Sequence, residues 1–392
     1  MRRAIPTEHQ RVIALHFESN TLMGAVLAAV RRREWTPLDL TLTGAGSLSR
    51  IAPAAAIVGP LPEDSPEWEA LRTAGCPLVQ LDYPPKRSCP VPTVMRDLAA
   101  EGRLAAEHFV DRGFTSVGFV GYTPWGDAKG LYDAFSARSR ELGRTCRLLQ
   151  FSVMGGEPYS MQKQTRYEQR LPEFKAWIEA SPLPLGLLSW GDLGAAVQCE
   201  MCLHLGYEVP DDVAILAAGF DTSRCECAPV PLSSIGVDVE SMVETAFGML
   251  DDMLAGQHVP PERILIPPKA ITCRESTNVL AVTDRDVARA LRYIRAHYDA
   301  KFLGVDDIAA AVDIPARSLR RAFQRELGRG INAELRRWRM EQARELLRST
   351  KRKIADIAPL VGIRTSEYFH TAFRKAYGMT PQQYRRRETQ QA

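Results

Sequence analysis

The octapeptide DIAAAVDI at residues 307–314 recurs as DIAPLVGI at residues 356–363, with five of the eight residues identical. Both copies read D-I-A-x-x-V-[D/G]-I, and each leads into a helical stretch with apolar residues one turn apart, Leu319/Phe323 and Phe369/Phe373. The small alanine lets two helices cross closely, and the Asp or Gly tolerates a positive φ in the turn. These are the requirements of a helix-turn-helix, so the repeat predicts two such units in one domain.

The charge of the chain is unevenly divided. Residues 284–392 contain 24 Lys/Arg and 13 Asp/Glu, a net charge of +11. The whole chain has 50 and 47, which leaves 26 and 34 for residues 1–283, a net charge of −8. A basic helical domain behind an acidic body is typical of nucleic-acid binding. Because most of its cations are arginines, the domain suits bidentate contacts to phosphate and guanine.

The C-terminal region has a helical pattern throughout. Predicted helices cover residues 286–298, 305–312, 316–327, 332–347, 354–361, 365–377 and 381–386. With RMEQARELL at 339–347 and FRKAYGMTPQQYR at 373–385, residues 286–387 resemble the DNA-binding domain of AraC/XylS-type transcription regulators. The resemblance implies that both second helices enter successive major grooves of promoter DNA. Pro359 lies inside a predicted helix of the second unit, where proline favours a kink.

The second helix of each unit supplies the candidate DNA contacts. On the first, Arg320 and Arg325 are predicted to reach phosphate, and the candidates for base reading are Arg317, Ser318, Arg321 and Gln324. On the second, the candidates are Thr365, Ser366, Glu367, His370 and Thr371. Glu367 suits a bond from cytosine N4. For each residue, a phosphate contact or a solvated position is the alternative interpretation.

Residues 11–271 alternate short β-branched or apolar runs with helical stretches. Predicted strands cover residues 12–17, 55–58, 78–81, 117–121, 185–188, 213–217 and 263–266, and predicted helices cover 97–112, 192–205 and 239–254. This alternation predicts an α/β fold of parallel sheets with helices on both faces. The length favours two such lobes with a cleft between them. The predicted domains are residues 1–272, a linker at 273–283 and the helical domain at 284–392.

Three segments of the body resemble the sensor domain of LacI/GalR-type repressors, which has a periplasmic-binding-protein-like fold. They are DLAAEGRLAAEHF at 97–109 with VGFVG at 117–121, WGDLGAA at 190–196, and PDDVAI at 210–215 with GFD at 219–221. The resemblance implies that this domain binds an effector and dimerises. It also implies a small polar effector, a sugar of the xylose kind.

Candidate effector contacts are Asp192, Asp221, Trp125 and Trp190. Both aspartates follow predicted strand ends, where open α/β sheets place their ligands. A carboxylate there accepts hydrogen bonds from sugar hydroxyl groups, and a Trp ring stacks on a sugar face. The alternatives are N-capping for Asp192 and core packing for the two Trp residues. Leu131 and Gly191 stand where the related sensors have polar sugar contacts, which leaves the identity of the sugar open.

Composition and motifs exclude several other classes. The chain is 45% apolar and 25% charged, and no apolar run is long enough for a membrane helix. The N-terminus does not resemble a secretory signal, so we expect a cytoplasmic protein with reduced cysteines. The pairs Cys199/Cys202 and Cys225/Cys227 could together supply four thiolates to a zinc ion, but packing is the favoured interpretation. No nucleotide-binding or catalytic motif occurs, so neither a cofactor nor enzyme activity is predicted.

Together these features predict a one-component transcription regulator controlled by a small molecule. The expected partners are double-stranded promoter DNA, the effector and a second copy of the chain in a homodimer. RNA polymerase is a further candidate partner, and no membrane partner is expected. Two alternatives remain at this point: a constitutive DNA-binding protein whose first domain only dimerises, and a sugar-active enzyme with a DNA-tethering tail.

Overall fold

The computed structural model describes residues 11–17, 20–48, 50–82, 91–123, 128–152, 163–279, 281–282 and 284–391. Trp125 lies outside these residues. The chain divides into two compact units, residues 1–280 and 281–392. Unit 1 contains β-strands and α-helices in alternation, and the described part of unit 2 is helical.

Unit 1 contains twelve strands and nine helices among the described residues. In chain order they are β1 (Val12–His16), α1 (Asn20–Arg32), β2 (Thr36–Asp39), α2 (Leu40–Thr43), β3 (Ala55–Val58), α3 (Pro66–Ala74), β4 (Leu78–Leu81), β5 (Thr93–Arg96), α4 (Leu98–Asp111), β6 (Ser116–Thr123), α5 (Ala128–Glu141), β7 (Thr145–Ser152), α6 (Lys163–Glu179), β8 (Leu185–Trp190), α7 (Asp192–His204), β9 (Val213–Ala218), α8 (Thr222–Glu226), β10 (Ser233–Gly236), α9 (Val239–Leu254), β11 (Arg263–Ile266) and β12 (Lys269–Thr272).

The strands form two six-stranded sheets. The first has the order β11-β5-β4-β3-β1-β2 and the second β12-β10-β9-β8-β6-β7. All pairs are parallel except β10 with β12. Every residue of β3 and of β9 is buried, as expected where helices cover both faces of a parallel sheet. The predicted two-lobed α/β fold is confirmed, with one antiparallel edge strand that was not predicted.

The chain passes between the two sheets three times, after β5, after β10 and after β11. Helix α9 returns to the first sheet, where Met242, Phe247 and Leu250 pack with Ile13 and Leu15 in one buried cluster. These crossings place the carboxyl end of β5, in the first sheet, close to the carboxyl ends of β8 and β9, in the second sheet. In open α/β folds this edge of the sheet binds ligands.

All seven predicted strands are present, but β2, β5, β7, β10 and β12 were not predicted. Strand β5 has the sequence TVMR and ends in a buried arginine, and β10 has the sequence SSIG, so neither shows the apolar pattern of a core strand. The structure also differs at the predicted linker, residues 273–283. Residues Glu275–Thr277 form a 3₁₀ turn of unit 1 in which Ser276 and Thr277 are buried, so this part of the segment is packed.

The described part of unit 2 contains seven helices, and they match the seven that were predicted. They are α10 (Arg285–His297), α11 (Val305–Ala311), α12 (Ala316–Leu327), α13 (Ile331–Ser349), α14 (Ile354–Leu360), α15 (Ser366–Tyr377) and α16 (Pro381–Gln391). Two buried clusters fill the unit, one around Phe323 and one around Phe369 and Phe373. Helix α13 contributes to both, with Trp338 in the first and Met340 in the second. Trp338 is therefore a packing residue.

The turns of the two repeats have matching geometry. Asp313 and Gly362 occupy the same motif position with φ of 56° and 70°. The next residue donates a backbone hydrogen bond back into the first helix in both cases, from Ile314 to Ala309 (3.1 Å) and from Ile363 to Ala358 (2.9 Å). Pro359 lies in the last turn of α14, which has the same length of seven residues as α11. The predicted tolerance of positive φ at this position is confirmed.

A buried carboxylate fixes the loop between α12 and α13. Glu334, 2% exposed, accepts hydrogen bonds from Arg329 Nε (2.6 Å) and from Arg337 Nη2 (2.6 Å). Burial opposes its ionisation, but the two guanidinium groups outweigh that effect and lower the pKa of Glu334. This carboxylate therefore contributes stability above its unfolded-state pKa, and the contribution is lost as the pH falls through the folded value.

We predict that Glu334→Gln lowers the free energy of unfolding of residues 281–392 by about 1–3 kcal/mol at pH 7. The difference from wild type should shrink as the pH falls below about 4. Urea unfolding followed by the fluorescence of Trp338, the only Trp in this segment, measures both effects. Glu345→Gln, which alters an exposed i,i+3 pair with Arg348, is the control and should change the stability by less than about 0.5 kcal/mol. Equal losses for the two variants would contradict the prediction.

Candidate effector and nucleic-acid sites

Asp192 is the first residue of α7 and is 5% exposed. Its Oδ2 accepts the backbone N–H of Asp221 (2.7 Å), and its Oδ1 accepts the thiol of Cys225 (3.2 Å). Burial raises the pKa of Asp192, although both of these bonds act in the opposite direction. The N-cap of α7 is Gly191, and no side chain caps that helix. Asp192 therefore holds the 219–225 turn instead of acting as the N-cap.

Gly219 makes this arrangement sterically feasible. A Cβ at this position would lie 2.1 Å from Asp192 Oδ2 and 2.8 Å from its backbone nitrogen. Only glycine allows the carboxylate to sit against the end of β9. The Gly in the GFD segment is therefore part of the site, a role that its position before Phe220 alone did not reveal.

Asp221 is the more accessible of the two aspartates, with 37% of its side chain exposed. It accepts a hydrogen bond from the Ser223 hydroxyl and forms an ion pair with Arg224 Nε at 2.8 Å. The Ser223 bond, and then the Arg224 charge, lower the pKa of Asp221. Its carboxylate is thus ionised at neutral pH and serves as a hydrogen-bond acceptor at the end of β9.

Arg96 joins the two sheets at the same place and was missed in the sequence. It ends β5 of the first sheet and is 4% exposed. Its guanidinium lies over the rings of Trp190 (5.3 Å), the last residue of β8, and Phe220 (4.6 Å), which follows β9. The Arg96 Nη1 is 3.3 Å from Glu101 Oε2, and its Nε is 3.8 Å from Asp82 Oδ1. The only sequence signal was an arginine directly before Asp97 at a helix start.

The structure thus brings together three of the four predicted effector residues. Asp192, Asp221 and Trp190 lie at the ends of β8 and β9, and Trp190 is partly exposed under the Arg96 guanidinium. Leu131, at a position expected to be polar, is fully buried in α5. Gly191 has a φ of +80°, and a Cβ there would meet nothing within 4 Å. Whether these residues bind a ligand stays a prediction.

The candidate zinc-binding cysteines lie mainly in the apolar core that packs on the second sheet. Cys199, Cys202 and Cys225 are buried in one apolar cluster, and Cys227 is exposed. Within the described ranges, no group of three His, Cys, Asp or Glu residues is arranged to hold a metal ion.

Helix α12 presents a polar face above a buried apolar one. Leu319, Ala322 and Phe323 are buried. All six predicted contacts are exposed, namely Arg317, Ser318, Arg320, Arg321, Gln324 and Arg325.

Two of these arginines already have partners. Arg325 pairs with Asp284, the N-cap of α10, at 2.5 Å, and Arg320 lies 4.0 Å from Asp306. Within the described part of unit 2, Arg317 and Arg321 form no ion pair. Their guanidinium groups are therefore exposed without a carboxylate partner among the described residues.

Helix α15 has the same design. Phe369, Ala372 and Phe373 are buried, and Thr365, Glu367 and Thr371 are exposed, with Ser366 and His370 partly exposed. The Thr365 hydroxyl caps the helix by accepting the N–H of Tyr368 at 3.3 Å. Tyr368 itself is 47% exposed on the same face and was not predicted. The signal that the sequence offered for Tyr368 was an aromatic residue among the polar residues of that helix face.

No helix in the described part of the chain has the length and apolar character needed to span a membrane.

Comparison with known families divides the chain as the fold does. Residues 106–277 match the periplasmic binding protein-like domain, and residues 308–387 match a helix-turn-helix domain. The chain is 32% identical over 209 residues to the xylose operon regulatory protein of Escherichia coli strain K12. That alignment covers 53% of each protein, so the chain spans about half the length of the curated relatives it matches.

Solved structures show a similar fold. The structure of the xylose-binding transcription activator xylR is 24% identical and superposes with a TM-score of 0.69, covering 96% of this chain and 98% of that one. The lac repressor dimer bound to operator is 17% identical, with a TM-score of 0.53 over 71% of this chain and 100% of that one. The chain therefore contains a periplasmic binding protein-like domain at residues 106–277, followed by a helix-turn-helix domain at residues 308–387.

Proposed function

We propose that the protein is a sequence-specific DNA-binding transcription regulator of a sugar-utilisation operon, controlled by a small polar ligand bound in unit 1. The observation that carries this proposal is the pair α12 and α15. Each helix exposes a polar face above buried aromatic residues, behind a turn of matching geometry, in a region of net charge +11. Two such helices in one basic unit suit two successive major grooves.

The chemistry of the effector site favours an uncharged ligand. Among the described residues that meet there, four carboxyl groups accompany the guanidinium groups of Arg96 and Arg224. The four are Asp82, Glu101, Asp192 and Asp221. Such a site has no excess of positive charge to attract a phosphate or a carboxylate, whereas hydroxyl groups donate readily to carboxylates. A neutral sugar fits this balance better than a sugar phosphate or a sugar acid.

D-Xylose is the first ligand to test. The E. coli relative is named for the xylose operon, and the xylR structure is described as xylose-binding. Leu131 and Gly191 differ from the polar residues expected for such a sugar. A thermal-shift screen of neutral pentoses and hexoses, with the matching sugar acids as controls, identifies the class. Binding at 100 times the Kd adds about 2.7 kcal/mol to stability.

The mechanism we propose is a shift between two conformations of unit 1. Ligand binding between the strand ends of the two sheets favours a closed state, which alters the geometry of a homodimer and the spacing of its helical units. Dimerisation through unit 1 is supported by the fold shared with the lac repressor dimer. The operator then contains two half-sites. RNA polymerase is a further proposed partner of the DNA-bound dimer, and a cytoplasmic location is part of the same proposal.

The function is tested with full-length protein and DNA selected from a random pool. We expect one enriched sequence containing two half-sites, and an affinity for it that changes on addition of the sugar found in the screen. Specific binding that no sugar alters would instead support a constitutive DNA-binding protein with a dimerising first domain. Loss of sequence preference would contradict the proposal as a whole.

Asp221→Ala should weaken binding of that sugar by about 1.5–3 kcal/mol, or roughly 10–150-fold, because a charged acceptor is removed. DNA affinity without sugar should be unchanged. Isothermal titration calorimetry measures the first effect and gel-shift titration the second. Arg224→Ala is the matched control, since it removes the ion-pair partner and keeps the acceptor. Equal sugar affinities for Asp221→Ala and wild type would exclude Asp221 from the site.

A further inference from the structure

Residues 273–279, here called the exit segment, are the last described residues of unit 1 before the chain continues into unit 2. Buried polar contacts hold this segment against the second sheet. Ser276 is fully buried: its hydroxyl donates to the Ile215 carbonyl (2.6 Å) and accepts the Ser233 N–H (2.8 Å). The segment is therefore docked against the second sheet by hydrogen bonds with defined directions.

Thr277 is the second anchor and is also fully buried. Its hydroxyl donates to Ser233 Oγ (2.7 Å) and lies 2.9 Å from His108 Nε2, while its carbonyl accepts from Arg112 Nε (2.8 Å). Burial, reinforced by the Arg112 charge, lowers the pKa of His108 to about 3, so the ring is neutral at physiological pH. These contacts join the exit segment to α4, the helix that follows the first crossing between the sheets.

Arg274 connects the exit segment to the neighbourhood of α8. Its backbone N–H donates to Ser233 Oγ (2.8 Å), and its Nη1 donates to the Leu232 carbonyl (2.9 Å) and to Ser234 Oγ (3.1 Å). Its Nη2 is 3.3 Å from Glu226, the last residue of α8. The Arg274 side chain is only 15% exposed, whereas its ion-pair partner Glu226 is 66% exposed at the surface.

Cys225 extends the same set of contacts to the effector site. Its buried thiol donates to Asp192 Oδ1 (3.2 Å), and its carbonyl accepts the Leu232 N–H (2.8 Å). Burial and the Asp192 carboxylate raise the pKa of Cys225, while the Arg274 charge and the Ser234 hydroxyl oppose that shift. Hydrogen bonds therefore run from Asp192 through Cys225 and Leu232 to Arg274, and from Arg274 to Ser233 and Thr277.

We infer that Arg274 is a positioning residue that couples the effector site to the exit segment, and so to the helical unit that follows it. The inference rests on the proposed function in assuming that a ligand binds beside Asp192 and Asp221. A change in the 219–225 turn alters the position of Cys225 and Leu232. Because Arg274 donates to Leu232 and is bonded to Ser233, that change reaches the residues from which unit 2 continues. Buried polar networks have few alternative arrangements, which suits a two-state element.

The first test separates ligand binding from its consequence, with full-length protein and D-xylose as the probe. Arg274→Ala should keep the D-xylose affinity and the sugar-free DNA affinity within twofold of wild type. The change in DNA affinity caused by D-xylose should fall below twofold, from a wild-type factor in the usual allosteric range of about 5–150. Arg274→Lys, which keeps the charge but not the forked geometry, should retain an intermediate response. A full response in Arg274→Ala would overturn the inference.

The second test needs no ligand. It remains valid even if D-xylose has no effect on the wild-type protein, because that result would contradict only the proposed control by xylose. Hydrogen–deuterium exchange of full-length protein measures the protection of residues 274–279. Cys225→Ala, which removes the bond to Asp192, should speed exchange there about tenfold, and Cys225→Ser, which keeps a donor, should not. In an Arg274→Ala background, Cys225→Ala should add no further effect. Unchanged exchange in Cys225→Ala, or independent effects of the two substitutions, would overturn the inference.

Discussion

Gly362→Ala is expected to destabilise residues 281–392 by about 2–5 kcal/mol. The left-handed conformation, with φ of +70°, costs a residue with a Cβ about 1–2 kcal/mol. The new Cβ would also lie 2.5 Å from the Tyr298 carbonyl oxygen and 2.8 Å from Arg339 Nη2, and overpacking of this kind adds about 1–3 kcal/mol. Urea unfolding followed by Trp338 fluorescence measures the loss.

The reason lies in what Gly362 contacts. Arg339 Nε donates to the Tyr298 carbonyl (2.7 Å), and its Nη2 donates to the Ala300 carbonyl (2.7 Å). Tyr298 packs on both buried clusters of unit 2. The turn of the second helix-turn-helix thus rests on the end of α10, and a Cβ there would push the two repeats apart. We therefore expect loss of specific DNA binding in the full-length protein as well.

Gly328→Ala is the matched control. Gly328 also has a left-handed φ, +63°, but a Cβ there would meet nothing within 4 Å. Gly328→Ala should therefore lower the free energy of unfolding only by the cost of the left-handed conformation, about 1–2 kcal/mol. If the two variants were equally stable, the close contact with Tyr298 and Arg339 would be wrong.

The double substitution Arg317→Ala/Arg321→Ala should cost about 2–6 kcal/mol of specific DNA affinity, since each arginine that reads a base contributes about 1–3 kcal/mol. Both side chains are exposed on α12, one turn apart, with no ion pair among the described residues to compete. Sequence preference should relax together with affinity. Gel-shift titrations of selected and scrambled DNA measure both quantities.

Arg320→Ala distinguishes base reading from charge. Arg320 is exposed on the same helix and lies 4.0 Å from Asp306, so we assign it to phosphate. Its loss should weaken selected and scrambled DNA about equally and lower the salt dependence by about one unit. If the double variant behaved in the same way, α12 would contact the DNA backbone without reading its sequence.

The sequence by itself determined the helical unit almost completely. A repeated octapeptide, a run of apolar residues at helical spacing and an excess of arginine predicted all seven helices and the turn conformation at Asp313 and Gly362. Those signals are local, because helix formation and the turn depend on residues close together in the chain. The pattern also predicted which faces of α12 and α15 are buried, through Phe323 and Phe373.

Only the tertiary structure determined how the effector site is built. Arg96 ends a strand that has no apolar pattern, and its partners Trp190 and Phe220, 94 and 124 residues further along the chain, lie at strand ends of the other sheet. Asp192 had the pattern of an N-cap, yet its carboxylate bonds to Asp221 and Cys225, because Gly219 lets β9 approach it. Such contacts depend on how the chain crosses between two sheets, and no periodicity along the sequence encodes that crossing.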